Sequence, residues 1–586
     1  MELALLSQYW YSYSCMESLI KTVKHALEKA VSEAFPQLSP EEREIHVTLA
    51  TQEKFGHYQC NSAMKLAKVA QRPPRELAQA IAEKLQGGIF SLVEIAGPGF
   101  INLSLDQHFL SKHATDMAFD EHLGVPQPTK KERIIVEFSS PNIAKEMHVG
   151  HLRSTIIGDS LARLFEFLGH DVLRLNHVGD WGTAFGMLIA YMKEEAPDVL
   201  SGGRTTDLPT LMMWYKASKA RFDEDVAFKT RARQAVVALQ GGDPEAYQAW
   251  KIICAISRKA FQEVYDLLDV KLIERGESYY NPHLADVVVD LEKKDLVTVS
   301  DGAKCVFHEG IRLPLMIQKS DGGYNYDTTD MAAILHRIEE EKADRIIVIT
   351  DAGQSLHFDL VRKTAEKAGY LNPQKVRFDH VPFGVVLGAD GKKFRTRSGE
   401  TEKLIDLLSA AVQEAKRILQ ERNPDVDPIE RDRLAHILGI DAVKYADLSC
   451  NRISDYVFSY ERMLRFEGNT AAFILYSYVR VNGIKRKIGA ADITRTPIVL
   501  EHPSEIDLGL HLLRFTETLE SMAEELTPHY LTDYLYLLAQ KFNAFFRDCR
   551  VEGVPQQNQR LALADLVSRT MEQGLHILGI QTVDRM

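Results

Sequence analysis

No stretch of this chain is apolar over the roughly 20 residues that a bilayer-spanning helix needs, so no membrane span is expected. Cysteine is sparse. Cys15, Cys60, Cys254, Cys305, Cys450 and Cys549 are scattered without paired spacing. That excludes a disulfide framework and a zinc-finger pattern, and it fits a reducing cytoplasm. Positive charge is in deficit: 70 Lys and Arg face 82 Asp and Glu, a formal net charge of −12. A protein that coats nucleic acid nonspecifically is normally basic, so that class is excluded, although a local basic surface on an acidic body is not. Internal repeats and low-complexity tracts are absent as well. The first fifteen residues contain no Lys or Arg and no clear small-residue cleavage site, so they do not read as a signal peptide. The regular amphipathic pattern begins only after Met16, which makes Met16 the expected start and residues 1–15 an upstream extension.

What is present is ordinary globular composition, 45% hydrophobic and 26% charged over 586 residues. That length suits about three or four domains. Residues 16–115 read as a small α+β module, with Leu19, Ile20, Val23, Leu27, Ala30 and Val31 on one helix face. Gly124–Lys131 is linker-like in composition. From Arg133 strand and helix patterns alternate, with apolar runs at Ile134–Val136, Val172–Leu175, Ile346–Ile349 and Val381–Val386. Such alternation implies a parallel sheet with covered faces, here across 131–400. A mostly helical, polar insertion is expected at about 190–300. From 401 onward only helices are expected: connecting helices to 459, then a bundle over 460–586. One bundle helix is expected to be capped at Thr527-Pro528.

The most informative segment is Ser140-Pro141-Asn142-Ile143-Ala144-Lys145-Glu146-Met147-His148-Val149-Gly150-His151. It lies between the apolar run Ile134–Val136 and a helical pattern opening at Leu152. In an α/β fold a nucleotide phosphate binds where a strand hands over to a helix. His148 and His151 can be packed or surface residues, a metal pair or imidazole donors to phosphate. The strand before and the helix after favour the last, and the absence of a third ligand makes a poor zinc site. Glu137 closes the strand. It is either half of a structural ion pair or one wall of a pocket for a cation.

Two further clusters bear on that pocket. Asp321–Asp330 opens with a turn and leads into a helix expected to start near Met331. If Tyr326 and Asp330 are helical they share a face, and a phenol with a carboxylate suits a planar guanidinium. The plainer alternative is a helix cap with an exposed acid. Gly388–Gly399 carries Lys392, Lys393, Arg395 and Arg397 among glycines. It reads either as a solvated charge run or as a loop that closes over a triphosphate.

Together these segments resemble the class I aminoacyl-tRNA synthetases, and among them the bacterial-type arginyl enzymes, from Met16 to the C-terminus. Ser140–Thr155, Asn176–Thr183 and Phe466–Thr470 carry the likeness. The resemblance implies a Rossmann-like α/β catalytic domain with an N-terminal α+β module and a C-terminal all-α anticodon-binding bundle. It implies ATP with Mg²⁺ as substrate complex, L-arginine, the arginine tRNA as partner, a monomer, and arginyl-adenylate as intermediate. It assigns ATP to His148, Gly150 and His151. It assigns the guanidinium to Glu137, Tyr326 and Asp330, and the amino and carboxylate ends of arginine to Ser140, Asn142 and Gln354. Phe100 and Asn102 would meet the tRNA elbow, and Tyr476, Arg480, Lys485 and Arg486 the anticodon region. The second class signature departs from its usual form: Thr396 stands where its second lysine belongs, which leaves Lys145, Lys393, Arg395 and Arg397 as candidates for the pyrophosphate. Two rivals remain at this point: a small-molecule nucleotidyltransferase, and a paralogue that binds tRNA without catalysis.

Overall fold

In the computed structural model, residues 17–85, 87–388, 390–392, 403–488, 493 and 496–586 are described. The expected start at Met16 and the expected extension therefore lie outside the described residues. So do Lys393, Arg395 and Arg397. The five cysteines among the described residues are free thiols. Within the described residues no helix is long and apolar enough to cross a membrane.

The N-terminal module packs the helix Leu19–Ala34 and the helix Pro74–Lys84 on a sheet of β1 (Val47–Leu49), β2 (Tyr58–Cys60), β3 (Phe90–Ala96) and β4 (Phe100–Leu105), in the order β1-β2-β4-β3. Leu19, Val23, Leu27, Ala30 and Val31 are buried, and Ile20 is half-buried at the edge of that stripe. The following helix, Gln107–Phe119, runs past the expected module boundary and packs against the helix Pro503–Leu513 of the C-terminal bundle.

The central sheet contains β5 (Arg133–Glu137), β6 (Asp171–Asn176) and β7 (Ile273–Glu274) on one side. β11 (Arg345–Asp351) and β12 (Arg377–Phe383) lie on the other, and every pairing is parallel. Side-chain alternation splits β5 between two cores. Ile134 and Val136 join Leu152 and Ile156 on one face, and Ile135 joins Met331 and Val361 on the other. The strand order β12-β11-β5-β6-β7 reverses at β5, so the crevice between β5 and β11 is the topological switch point where ligands bind.

The polar insertion differs from expectation. Its helices run from Thr183 to Leu268, after which β7 rejoins the sheet. A three-stranded antiparallel sheet follows, of β8 (Thr298–Ser300), β9 (Ala303–Val306) and β10 (Leu315–Gln318). Three- and four-residue strands are too short to show a period of two in the sequence. The helices Leu404–Arg422 and Pro428–Leu448 pack together beyond the sheet. The region after 401 is not wholly helical: β14 (Tyr456–Val457) pairs with β13 (Val386–Leu387). The bundle is completed by the helices Ala471–Ile488, Phe515–Glu525, His529–Asp548 and Gln557–Ile577. Thr527 does not cap the third of these; its buried hydroxyl has no partner, and Pro528 occupies the cap position.

Candidate active site at the switch point

A cavity of about 870 Å³ opens at the carboxyl ends of β5 and β11. The loop that leaves β5 is strained. Ser139, Ser140 and Ala144 all have left-handed backbones, with φ of 72°, 48° and 58°. Each costs roughly 1–2 kcal/mol for a residue with a Cβ. Buried hydrogen bonds over-determine the loop: Ser139 N donates to Ser154 Oγ (3.0 Å), Ser140 N to Asn176 Oδ1 (3.0 Å) and Ala144 N to Ser257 Oγ (3.0 Å). Two glycines permit close approach. A Cβ on Gly158 would lie 2.1 Å from the Phe138 ring, and one on Gly179 would lie 2.2 Å from Asn142 Oδ1. The loop is thus built from both neighbouring segments, and it leaves the Ser140 hydroxyl buried without a hydrogen-bond partner.

His148 is the N-cap of the helix Val149–Phe167. Its Nδ1 accepts from Gly150 N (3.1 Å), and His151 Nδ1 accepts from His148 N (3.0 Å). This is a capping box made of two imidazoles. An accepting Nδ1 places the single hydrogen of a neutral imidazole on Nε2. Both rings are neutral at pH 7. Burial, then His148 and Lys145, push His151 down to about 3, and burial followed by Lys145 lowers His148. Each ring therefore keeps an Nε2–H donor, at a helix N-terminus whose dipole favours an anion.

The acidic wall is supplied by other elements. The helix Tyr326–Glu339 begins five residues before the expected start at Met331, which puts Tyr326 and Asp330 about one turn apart on one face, both lining the cavity. Asp330 is half-buried, its side chain 14% exposed, rather than exposed. Its Oδ2 accepts from His357 Nε2 (2.6 Å), and its Oδ1 lies 3.7 Å from His177 Nε2. His357 Nδ1 lies 3.1 Å from Asp327 Oδ1. Burial disfavours the imidazolium, but the hydrogen bonds to Asp327 and Asp330 outweigh it and hold His357 up to about 9. Glu137 does form an ion pair, its Oε2 lying 2.6 Å from Arg337 Nη1, yet it also lines the cavity. The structural ion pair of its plainer sequence reading is therefore present. Gln354 joins the lining from the turn after β11.

Sequence reasoning missed Glu277, which lines the same cavity from the irregular stretch after β7. Burial, then Asp330 and Asp180, push its carboxyl up to about 8. Glu137, Glu277, Asp330 and Asp351 thus place four carboxyl groups around one cavity, and burial raises that of Glu277.

The basic loop is bracketed by the cavity. Val385 and Val386 are part of its wall, and Gly388 N donates to Lys392 O (2.7 Å) in a tight turn just before the undescribed stretch. On return, Lys403 pairs with Glu146 (2.6 Å) and bridges to His148, while Leu404 N donates to Met147 O (2.9 Å). Of the described residues that flank this stretch, Val386 lines the cavity and Lys403 lies against His148. Lys145 is exposed in the loop before them, close enough to depress both imidazoles.

The other sequence-predicted residues lie elsewhere. Phe100 and Asn102 share one face of β4, where Asn102 Oδ1 accepts from Gln59 Nε2 (2.7 Å). Tyr476 is exposed on the helix Ala471–Ile488, and Arg480 stacks over the Phe546 ring at 4.5 Å. Arg486 is exposed on the same helix, whereas Lys485 is paired with Asp565 on the neighbouring helix.

The parallel sheet, the imidazole-capped helix at its switch point and the helical C-terminal domain together define a class I aminoacyl-tRNA synthetase. Residues 114–460 match the family of tRNA synthetases class I (R), catalytic domain; residues 474–586 match the DALR anticodon binding domain; and residues 17–105 match the arginyl tRNA synthetase N terminal domain. The chain belongs to the arginyl-tRNA synthetases, enzymes that join L-arginine to tRNA with ATP for protein synthesis. It is 62% identical over 584 residues to the arginine–tRNA ligase of Protochlamydia amoebophila, covering 97% of this chain and 100% of that one. The Chlamydia abortus arginine–tRNA ligase is 53% identical over 572 residues, with coverage of 97% and 100%. Among solved structures, the arginyl-tRNA synthetase of Plasmodium falciparum superposes with a TM-score of 0.86 at 33% identity, covering 97% of this chain and 100% of that one. That of Thermus thermophilus gives 0.77 at 25% identity, with coverage of 96% and 100%.

Proposed function

We propose that ATP and L-arginine meet in this cavity with the following division of labour. ATP lies along the N-terminus of the helix Val149–Phe167, over Gly150, with the Nε2–H groups of His148 and His151 donating to its phosphates. Magnesium enters on the ATP as part of that substrate. The arginine carboxylate attacks the α-phosphorus, pyrophosphate leaves, and the tRNA ribose hydroxyl then attacks the carbonyl of arginyl-adenylate and releases AMP. No protein nucleophile takes part; positioning and charge stabilisation do the work. Lys145, with Lys393, Arg395 and Arg397, meets the pyrophosphate. Glu137, Tyr326 and Asp330 hold the guanidinium, while Ser140, Asn142 and Gln354 hold the amino and carboxylate ends. Phe100 and Asn102 contact the tRNA elbow, and Tyr476, Arg480 and Arg486 the anticodon arm. Lys485, tied to Asp565, takes part only if that pair opens. The enzyme acts as a cytoplasmic monomer.

The observation that carries this reading is the joint placement of neutral Nε2–H donors and a carboxylate wall in one cavity. Charging of tRNA with labelled arginine, lysine and citrulline in parallel tests it. Citrulline has arginine's shape without its charge and is expected to be disfavoured by about 10⁴-fold, because it leaves buried carboxylates unpaired. Asp330→Ala is expected to raise the arginine KM on the order of 10²-fold. Comparable charging of citrulline, or an unchanged arginine KM in the variant, removes the cationic pocket from the account.

Glu277 adds a pH signature. With its carboxyl near 8 when no cation is bound, it is largely protonated at pH 7. A guanidinium or ammonium beside it lowers that value and releases a proton. Arginine affinity is therefore complete above pH 8 and declines as pH falls through that value. Calorimetry at pH 7 in phosphate and in Tris is expected to give different apparent binding enthalpies, and Glu277→Gln to abolish the difference.

A further inference from the structure

We propose that His357 is the positioning residue for Asp330: clamped between Asp327 and Asp330, it fixes one oxygen of the Asp330 carboxylate so that the other is presented to the arginine guanidinium. The inference rests on the reading of Asp330 as a guanidinium ligand.

The clamp is anchored at its far end. Asp327 Oδ2 accepts from Met316 N in β10 (3.0 Å), and Asp327 Oδ1 lies 3.1 Å from His357 Nδ1. His357 Nε2 then donates to Asp330 Oδ2 (2.6 Å). A backbone amide of the small antiparallel sheet is thereby linked through three side chains to the cavity wall. The sheet of β8, β9 and β10 gains a purpose from this: it is the rigid end of the relay. Tyr326 supports the ring from the side, the two ring centroids 5.0 Å apart and the planes at 69°.

Only a doubly protonated imidazole supplies donors at both ends of this span, so His357 acts as an imidazolium between two carboxylates. His357 borders the cavity beside Asp330, whereas Asp327 is absent from the lining, so Asp327 can act on the ligand only through His357. Among the described residues no side chain donates a hydrogen bond to Asp330 Oδ1, which is the atom left for the ligand. Removing the imidazolium has two opposing effects. It leaves the pocket more negative, which attracts any cation, and it frees the carboxylate to rotate. Recognition of a planar fork depends on where the oxygens stand, so loss of orientation outweighs the gain in bare charge.

The test compares His357→Gln, Asp327→Asn and Asp330→Ala with the wild type in tRNA-dependent pyrophosphate exchange, together with thermal melting. His357→Gln is expected to raise the arginine KM about 10- to 100-fold, the range for residues that orient a ligand-holding side chain. ATP KM and melting temperature stay near wild type. Asp327→Asn is expected to raise the arginine KM in the same direction without touching the ligand, an effect a merely structural residue would not have. If His357→Gln does not fold, Asp327→Asn carries the test alone. An arginine KM within twofold of wild type in the folded variants, while Asp330→Ala raises it, overturns the role of His357 and leaves the pocket intact. An unchanged arginine KM in Asp330→Ala overturns the pocket itself.

Discussion

His151→Ala is expected to slow arginyl-adenylate formation by about 10²–10³-fold, the usual cost of deleting one donor to transition-state charge. The structure narrows what that loss means. His151 Nδ1 accepts from His148 N, so the variant also loses half of a capping box, worth about 1 kcal/mol. That is too little to unfold the helix Val149–Phe167, most of whose residues are buried. The deficit therefore belongs to the missing Nε2–H. Two readouts separate it from general damage. Arginine KM stays near wild type, because the guanidinium wall is contributed by other elements. The wild-type pH profile also lacks a His151 step near neutrality, since that ring is held down to about 3 and is already neutral throughout that range. Single-turnover activation with saturating tRNA measures the rate. A near-normal value would sink the assignment, and a wild-type profile that titrates with a pKa near 6.5 would show that the capping geometry does not set the protonation state.

The sequence made the phosphate end of this site legible and the acidic end only in part, for a physical reason. His148 and His151 stand three residues apart, on a turn fixed by local hydrogen bonds, so their pattern survives in one dimension. The acidic wall is a long-range object. Glu137 comes from β5, Asp330 from a helix beyond the insertion, and Glu277 from an irregular stretch between them. No periodicity joins those positions, and Glu277 carries no local sign of its burial. Arg337, His357 and Asp327 are invisible for the same reason: each matters only because of the partner it meets across the fold. At the level of architecture, β5 and β11 announce themselves as apolar runs because these central parallel strands are buried on both faces, whereas β6 and the edge strand β12 are buried only in part. The strands β8, β9, β10, β13 and β14 are too short for any pattern, and the onset of the helix at Tyr326 is hidden because Asn325, at the cap position, makes no side-chain capping bond.

The acidic wall also explains how buried carboxylates are tolerated before arginine arrives. Glu137 has Arg337, Asp330 has His357, and Glu277 has no cation and is pushed toward its neutral form. Arg337 and His357 thus hold Glu137 and Asp330 in place by direct contact, while burial favours the neutral form of Glu277. In the proposed role, a pocket so arranged would offer a guanidinium preorganised acceptors without carrying the full repulsion of its acids when empty.

Arg153→Met is expected to be among the most destabilising single substitutions in the chain, by about 3–5 kcal/mol, because it leaves a buried carboxylate without its partner. Arg153 lies on the signature helix two residues after His151 and is fully buried. Its Nε lies 3.1 Å from Asp447 Oδ2 on the helix Pro428–Leu448. Its Nη1 donates to Gly384 O (2.7 Å) and Ser454 O (3.2 Å), and the guanidinium stands 5.2 Å from the Tyr456 ring centroid. Burial pushes the Asp447 carboxyl up and Arg153 pulls it down, so removing the arginine drives Asp447 toward protonation. The double variant Arg153→Met with Asp447→Leu is expected to recover most of the lost melting temperature, since a buried ion pair replaced as a whole by apolar groups is often near neutral. Activity is not expected to follow. Gly384 is part of the cavity wall and leads into β13 and the second signature loop, and in the double variant its carbonyl still lacks the Arg153 donor. Stability restored with activation still impaired would mark Arg153 as the strut that holds the loop's base against the signature helix. Recovery of both would reduce it to a structural ion pair.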